Sequence, residues 1–163
     1  MSTSANIHLS PLMMAFQYLK RRGWSVEKAG DSEITTEIND LFAPFHLCMM
    51  WNQEHQSLMI SCNIRQEISD EAHRAVIDLL ANLNSTIWMG HYEIAPEDNL
   101  VGYRYTLNLA GVDYPSELQL ETMIDTAVAE CVRIYPALQY IIVEGKTAKE
   151  ASVAAMMDTV GEA

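Results

Sequence analysis

The chain has 163 residues, 49% of them hydrophobic, enough for one domain that buries about 70% of its unfolded surface and too apolar for a disordered chain. Its 22 acids against 10 bases give a formal charge of −12, which argues against the basic footprint that holds a nucleic-acid backbone. The three cysteines, Cys48, Cys62 and Cys131, show no CxxC spacing, so they read as small core residues of a reducing compartment, not as a zinc ribbon or a disulfide framework.

The N-terminus, MSTSANIHLSP, has neither a charged leader nor an apolar segment after it, and residues 1–9 are expected to be a flexible lead-in. No apolar run approaches the ~20 residues that span a bilayer, so the expected location is the cytoplasm, without membrane contact. Ser10-Pro11 is an N-cap followed by proline at the first helical position, opening a helix that Gly23 closes. Leu12, Phe16 and Leu19 share one face of it. Lys20-Arg21-Arg22, the one basic cluster, falls in its last turn and complements the helix dipole.

The apolar period then changes to two. Trp24 and Val26 begin a strand, and Ile34, Thr36 and Ile38 mark a second. Phe45, Leu47, Met49 and Trp51 share a face of the third, as do Leu58, Ile60, Cys62 and Ile64 on the fourth, after the polar turn at 52–56. Short strands with tight connections predict an antiparallel meander. Ser69-Asp70-Glu71 opens a second helix, with a stripe from Ala72 through Val76, Leu79, Leu80 and Leu83 to Ile87. Trp88, Gly90, Tyr92 and Ile94 then alternate as a fifth strand, and Val101, Tyr103, Tyr105, Leu107 and Leu109 as a sixth.

Ser116 to Gln119 is a capping box for a long helix whose stripe runs from Leu120 to Ile142. Pro136 interrupts this stripe without shifting its phase, which predicts a kink and not a stop. A short helix from Ala148 to Val160 ends at Gly161. The expected fold is therefore α+β: one domain over 1–163, an antiparallel sheet with helices packed on it, in the order α-ββββ-α-ββ-α-α.

Between the last two helices, VEGKTA (143–148) ends in the Gly-Lys-Thr of a phosphate-binding loop. The first glycine of such a loop would fall at Tyr140, and Ile141, Ile142 and Val143 would fill the turn. Branched side chains there block the close approach of backbone to phosphate. The same letters serve as caps: Gly145 ends one helix, and Thr147 with Glu150 forms the capping box of the next.

The five histidines (His8, His46, His55, His73 and His91) form no HxH or HxxxH, so metal spacing is absent. His73 is expected to be solvated, and His46 and His91 to be exposed on strand faces. No GxSxG or other nucleophile arrangement occurs, and Glu33, Glu37, Glu117, Glu121 and Asp125 read as solvated faces. The expectation is no catalytic residue, no cofactor and no metal. Ten methionines are the compositional oddity, with doublets at Met13-Met14, Met49-Met50 and Met156-Met157. Methionine fills cores, and it also grips varied partners. Alternation on strands three and four sends His46, Cys48, Met50 and Met59 away from the helix-covered face, where they would form an exposed apolar patch. These four are the candidate partner-binding residues.

The tail ECVRIYPALQYIIVEGKTAKEASVAAMMDTVGEA (Glu130 to Ala163), the stretch NSTIWMGHYEI (Asn84 to Ile94) and the strands before it resemble the YbjN-domain family. The resemblance covers essentially the whole chain, although Glu144 stands where the family would place a glycine before Gly145. It implies a fold like that of type III secretion chaperones, small acidic α+β proteins that commonly dimerise, and the label of sensory transduction regulator. No functional residue is carried across by it. Together with the residues it predicts a non-enzymatic protein-binding module, chaperone-like or regulatory, acting as a homodimer. The alternative is a small-molecule sensor with a pocket between sheet and helices, which a deep, closed pocket lined by Tyr92, Tyr103 or Tyr105 and a few polar groups would favour.

Overall fold

The computed structural model describes residues 10–39 and 43–157; the expected flexible lead-in, His8 and the helix stop at Gly161 lie outside these residues. Ser10 caps α1 (Pro11–Arg21), its hydroxyl oxygen accepting the Met13 N–H at 3.2 Å. Gly23, at φ +84°, turns the chain out of the helix. Four strands follow: β1 (Val26–Lys28), β2 (Glu33–Ile38), β3 (Phe45–Asn52) and β4 (Ser57–Glu67). After α2 (Asp70–Asn84) come β5 (His91–Ala95) and β6 (Leu100–Asn108), then α3 (Glu117–Ile142) and α4 (Ala148–Met157). The α+β order expected from the sequence is the order observed.

The six strands form one antiparallel sheet in the order β1-β2-β3-β4-β6-β5. Period-two alternation decides what it buries. Phe45, Leu47 and Met49 stand opposite Ile64, Cys62 and Ile60, and the last two continue onto Tyr103 and Tyr105 of β6. All of these except Tyr105 are at most 1% exposed. α3 packs over β4 and β6, α1 lies at the β1–β3 side, α2 runs beside β5, and α4 lies against α2 and α3. The core is thus a single layer between these helices and one face of the sheet.

Two local expectations change. β5 starts at His91, three residues later than the alternation from Trp88 suggested. Gly90 adopts φ +66°, and a Cβ added there would collide with the Tyr103 hydroxyl and the Arg104 carbonyl. The chain therefore turns before the ladder begins, and Trp88 is left 100% exposed. The α2 stripe likewise stops at Leu83, with Ile87 beyond the helix and only partly buried.

α3 runs unbroken through Pro136 to Ile142. A proline forfeits the hydrogen bond to the Val132 carbonyl, but the turns on either side bury Cys131, Ile134, Ala137, Leu138 and Ile141. That apolar contact holds the helix together across the gap.

Candidate functional site

The face of the sheet away from the helices is built by the other half of the alternation. His46 stands opposite Asn63, Cys48 opposite Ser61, and Met50 opposite Met59. The four residues singled out from β3 and β4 therefore do share one face. Met50 is 38% exposed, while His46, Cys48 and Met59 are half-buried. They do not form the apolar patch expected of them, because the flanking strands bring charges over the sulfurs. β2 places Glu33 beside Met50 and Glu37 beside His46, and β6 places Arg104 beside Ser61.

The Cys48 thiol donates to Glu33 at 3.3 Å, and the Arg104 Nε reaches Met59 Sδ at 2.8 Å. Burial, together with the neighbouring Glu33 carboxylate, pushes the Cys48 thiol up to about 12, which makes it a poor nucleophile. Arg104 also pairs with Glu93 at 3.3 Å, and exposed His91 stands 3.5 Å from the same carboxylate.

Toward the β4 bulge the face becomes concave. The ladder between β4 and β6 shifts register between Asn63 and Glu67, and this irregularity carries Arg65. Glu37 accepts from Arg65 at 2.5 Å and bonds the His46 ring at 2.8 Å. Burial works against ionisation there, yet Arg65 and His46 hold the Glu37 carboxyl below its ordinary range. His46 thus lies between two polar clefts. One, of about 380 Å³, is lined by Asn63, Arg65, Glu67 and Asp98 among others; the second, of about 270 Å³, is lined by Ser25, Glu27, Thr35 and Asn39 among others. The sequence places Glu33 and Glu37 only on solvated faces and gives Arg65 and Arg104 no role, because their place beside the methionines depends on inter-strand register, which the pattern of one strand does not carry.

Other expected features resolve as structural chemistry. The Gly145 N–H bonds the Ile141 carbonyl at 3.1 Å and the Lys146 N–H bonds the Tyr140 carbonyl at 3.0 Å, a helix ending closed by Gly145 in the left-handed region at φ +64°. The Thr147 N–H donates to Glu150 at 2.9 Å, and Thr147 Oγ1 accepts the Glu150 N–H at 3.3 Å. The backbone donors that a phosphate would need are thus engaged in ending α3 and starting α4. Arg21 pairs with Glu117 at 2.8 Å and Arg22 with Asp125, so the basic cluster fastens α1 to α3. Glu117 and Asp125 are therefore paired, where the sequence reading had them merely solvated.

Cys62 and Cys131 are buried, and the Cys131 thiol donates to the Cys62 carbonyl at 3.1 Å. The Cys131 contact and burial raise the Cys62 thiol well above its ordinary range. Tyr92 is 2% exposed; its hydroxyl donates to the Glu130 carboxylate and accepts from Arg133 at 3.1 Å. Tyr103 is 0% exposed and donates to the Met89 carbonyl. Both rings are thus packed in the core with their hydroxyls engaged, while Tyr105, the third tyrosine named for a sensor pocket, is partly buried against that core. Among the described residues no group of three or more His, Cys, Asp or Glu could hold a metal ion, and no helix is long and apolar enough to cross a membrane.

The fold and this face define a class: a two-layer α+β domain with one sheet face covered by helices and the other solvated, charged and shallowly concave. The chain belongs to the YbjN family, whose description reads "Putative bacterial sensory transduction regulator" and whose pattern matches residues 16–140. That description is of a regulator and names no reaction. Among solved structures the chain is similar to "YbjN, a putative transcription regulator from E. coli". The likeness has a TM-score of 0.55 at 10% identity and covers 76% of this chain and 87% of that one, a likeness of fold. No curated protein matches the chain.

Proposed function

We propose that this chain is a non-enzymatic protein-binding module of the bacterial cytoplasm, a regulatory or chaperone-like adaptor working as a homodimer, and that it holds a partner segment on the open sheet face at His46, Cys48, Met50 and Met59. The supporting observation is the pairing of Met50 with Met59 on the uncovered face near the β3–β4 turn, with Met50 38% exposed. Adaptable sulfur-bearing side chains there accept varied apolar groups, while Glu33, Glu37, Arg65 and Arg104 around them select polar neighbours and orientation. The net charge of −12 favours basic partners.

The test is capture of partners by the immobilised full chain, with Met50→Glu as the control. Met50→Glu is expected to abolish capture and leave the melting temperature nearly unchanged, because the side chain lies outside the core. Unfolding by this substitution would show that Met50 is needed for the fold, and capture that survives it would place the partner elsewhere.

A further inference from the structure

β5 is the last strand of the sheet, so one side of its backbone has no strand beside it. Asn84 Oδ1 accepts the Tyr92 N–H at 2.7 Å, and Asn84 Nδ2 donates to the Tyr92 carbonyl at 3.0 Å. Tyr92 therefore turns both groups away from β6, and Ile94, two residues on, turns its N–H and carbonyl the same way. The Ala95 carbonyl points inward instead, accepting the Asn99 N–H at 2.9 Å within the β5–β6 turn, as the alternation requires. Asn84 closes the edge at Tyr92. At Ile94 the edge stays open: among the described residues no side chain or loop backbone bonds either outward group.

The open pair borders a groove of about 540 Å³ between α2 and β5, lined by Ile77, Leu80, Ala81, Ile94 and Pro96 among others. Ile77, at 43%, and Ala81 are exposed in it. An open main-chain pair beside an apolar hollow is the arrangement that strand addition uses: backbone bonds hold the guest, and the hollow takes a side chain. A guest residue that exchanges both bonds with Ile94 in the antiparallel sense has its side chain on the Ile94 face, against Ile77 and Ala81. Its two neighbours in the guest point to the open face of the sheet. At that end of β5 the turn carries Glu97 and Asp98, both exposed and neither in an ion pair among the described residues. Asp98 also lines the open-face cleft that contains Arg65, which puts its carboxylate on the side where those neighbours point. Basic flanks complement that turn and the chain's charge of −12.

We propose that the α2–β5 groove takes a short extended segment of a partner protein, an apolar residue flanked by basic ones, which adds to the sheet at Ile94. The Asn84 amide on Tyr92 keeps the added segment short. This is a second surface, and it uses none of the four residues assigned to the partner on the open sheet face.

The probe is the synthetic peptide acetyl-Gly-Lys-Leu-Lys-Gly-amide, titrated into the isotope-labelled full chain and followed by NMR. Saturable shifts are expected at the Ile94, Ile77 and Ala81 amides, with hydrogen exchange of the Ile94 N–H slowed. Methylating the leucine nitrogen of the peptide removes the donor to the Ile94 carbonyl and leaves the protein unaltered; it should weaken binding by about tenfold or more. Ile94→Pro removes the outward N–H, which β6 does not use, and should weaken binding as much with the melting temperature nearly unchanged. The methylated peptide carries the test even if Ile94→Pro fails to fold. Met50→Glu should bind the peptide as wild type does, so failure of the open-face reading and failure of this one are read separately. No shift at about 1 mM peptide, or equal binding of the methylated peptide, overturns strand addition at Ile94. Equal binding of the Glu-Leu-Glu analogue overturns the basic flanks. Shifts of the same amides with protein concentration alone would give the groove to a second copy and overturn the peptide guest.

Discussion

Asn84, the last residue of α2, holds both backbone polar groups of Tyr92, at 2.7 and 3.0 Å, and so closes the edge of the sheet with a side chain. Asn84→Ala should therefore lower stability by about 1–3 kcal/mol, since a half-buried N–H and C=O lose their partners together. It should also open β5 to pairing with other chains. Urea denaturation reads the first effect and light scattering on warming the second. An Asn84→Ala chain as stable as wild type would mean that water replaces the amide at no cost.

Gly102 stands opposite Asn63 in the ladder, and a Cβ on it would collide with the Asn63 amide and come within 2.9 Å of the Cys62 carbonyl. Gly102→Ala is expected to cost about 1–3 kcal/mol through overpacking. Adding Asn63→Ala should recover part of that cost and not all, because the Cys62 carbonyl stays in place. A double-mutant cycle by denaturant titration checks this, and simple additivity of the two substitutions would contradict it.

Glu37 connects three strands through Arg65 on β4 and His46 on β3. Its folded carboxyl titrates below the ordinary value of 4.5, so its contribution is present above 4.5 and fades as pH falls through the lower folded value. Glu37→Gln should lower stability modestly at neutral pH, change little once the wild-type carboxyl is protonated, and so flatten the fall of stability with pH below 4.5. Melting temperatures measured across that acid range decide the matter; an unchanged slope would show that the pairing is too screened by solvent to count.

Thr147 and Glu150 cap α4 reciprocally. Thr147→Ala should cost roughly 0.5–2 kcal/mol, while Lys146→Ala should alter no nucleotide binding. Saturable, magnesium-dependent ATP binding that disappears in Lys146→Ala would overturn the capping assignment.

The sequence by itself determined what is local or periodic. The caps at Ser10, Ser69, Ser116 and Thr147 were legible because each is a side chain bonding a backbone N–H three residues on. The faces of β3, β4 and β6 were legible because alternation separates inside from outside without knowledge of any neighbour. Only the tertiary structure decided what surrounds those faces. Arg21 finds Glu117 from 96 positions away, Tyr92 finds Glu130 across 38, and Arg104 reaches Met59 across 45. The charges that ring Met50 arrive by the register of β2 against β3 and of β6 against β4. The late start of β5 came from the Tyr103 hydroxyl lying against Gly90, and it left Trp88 in water. Each of these is a distance in space between residues far apart in the chain, and periodicity along one segment carries no information about which other segment lies beside it.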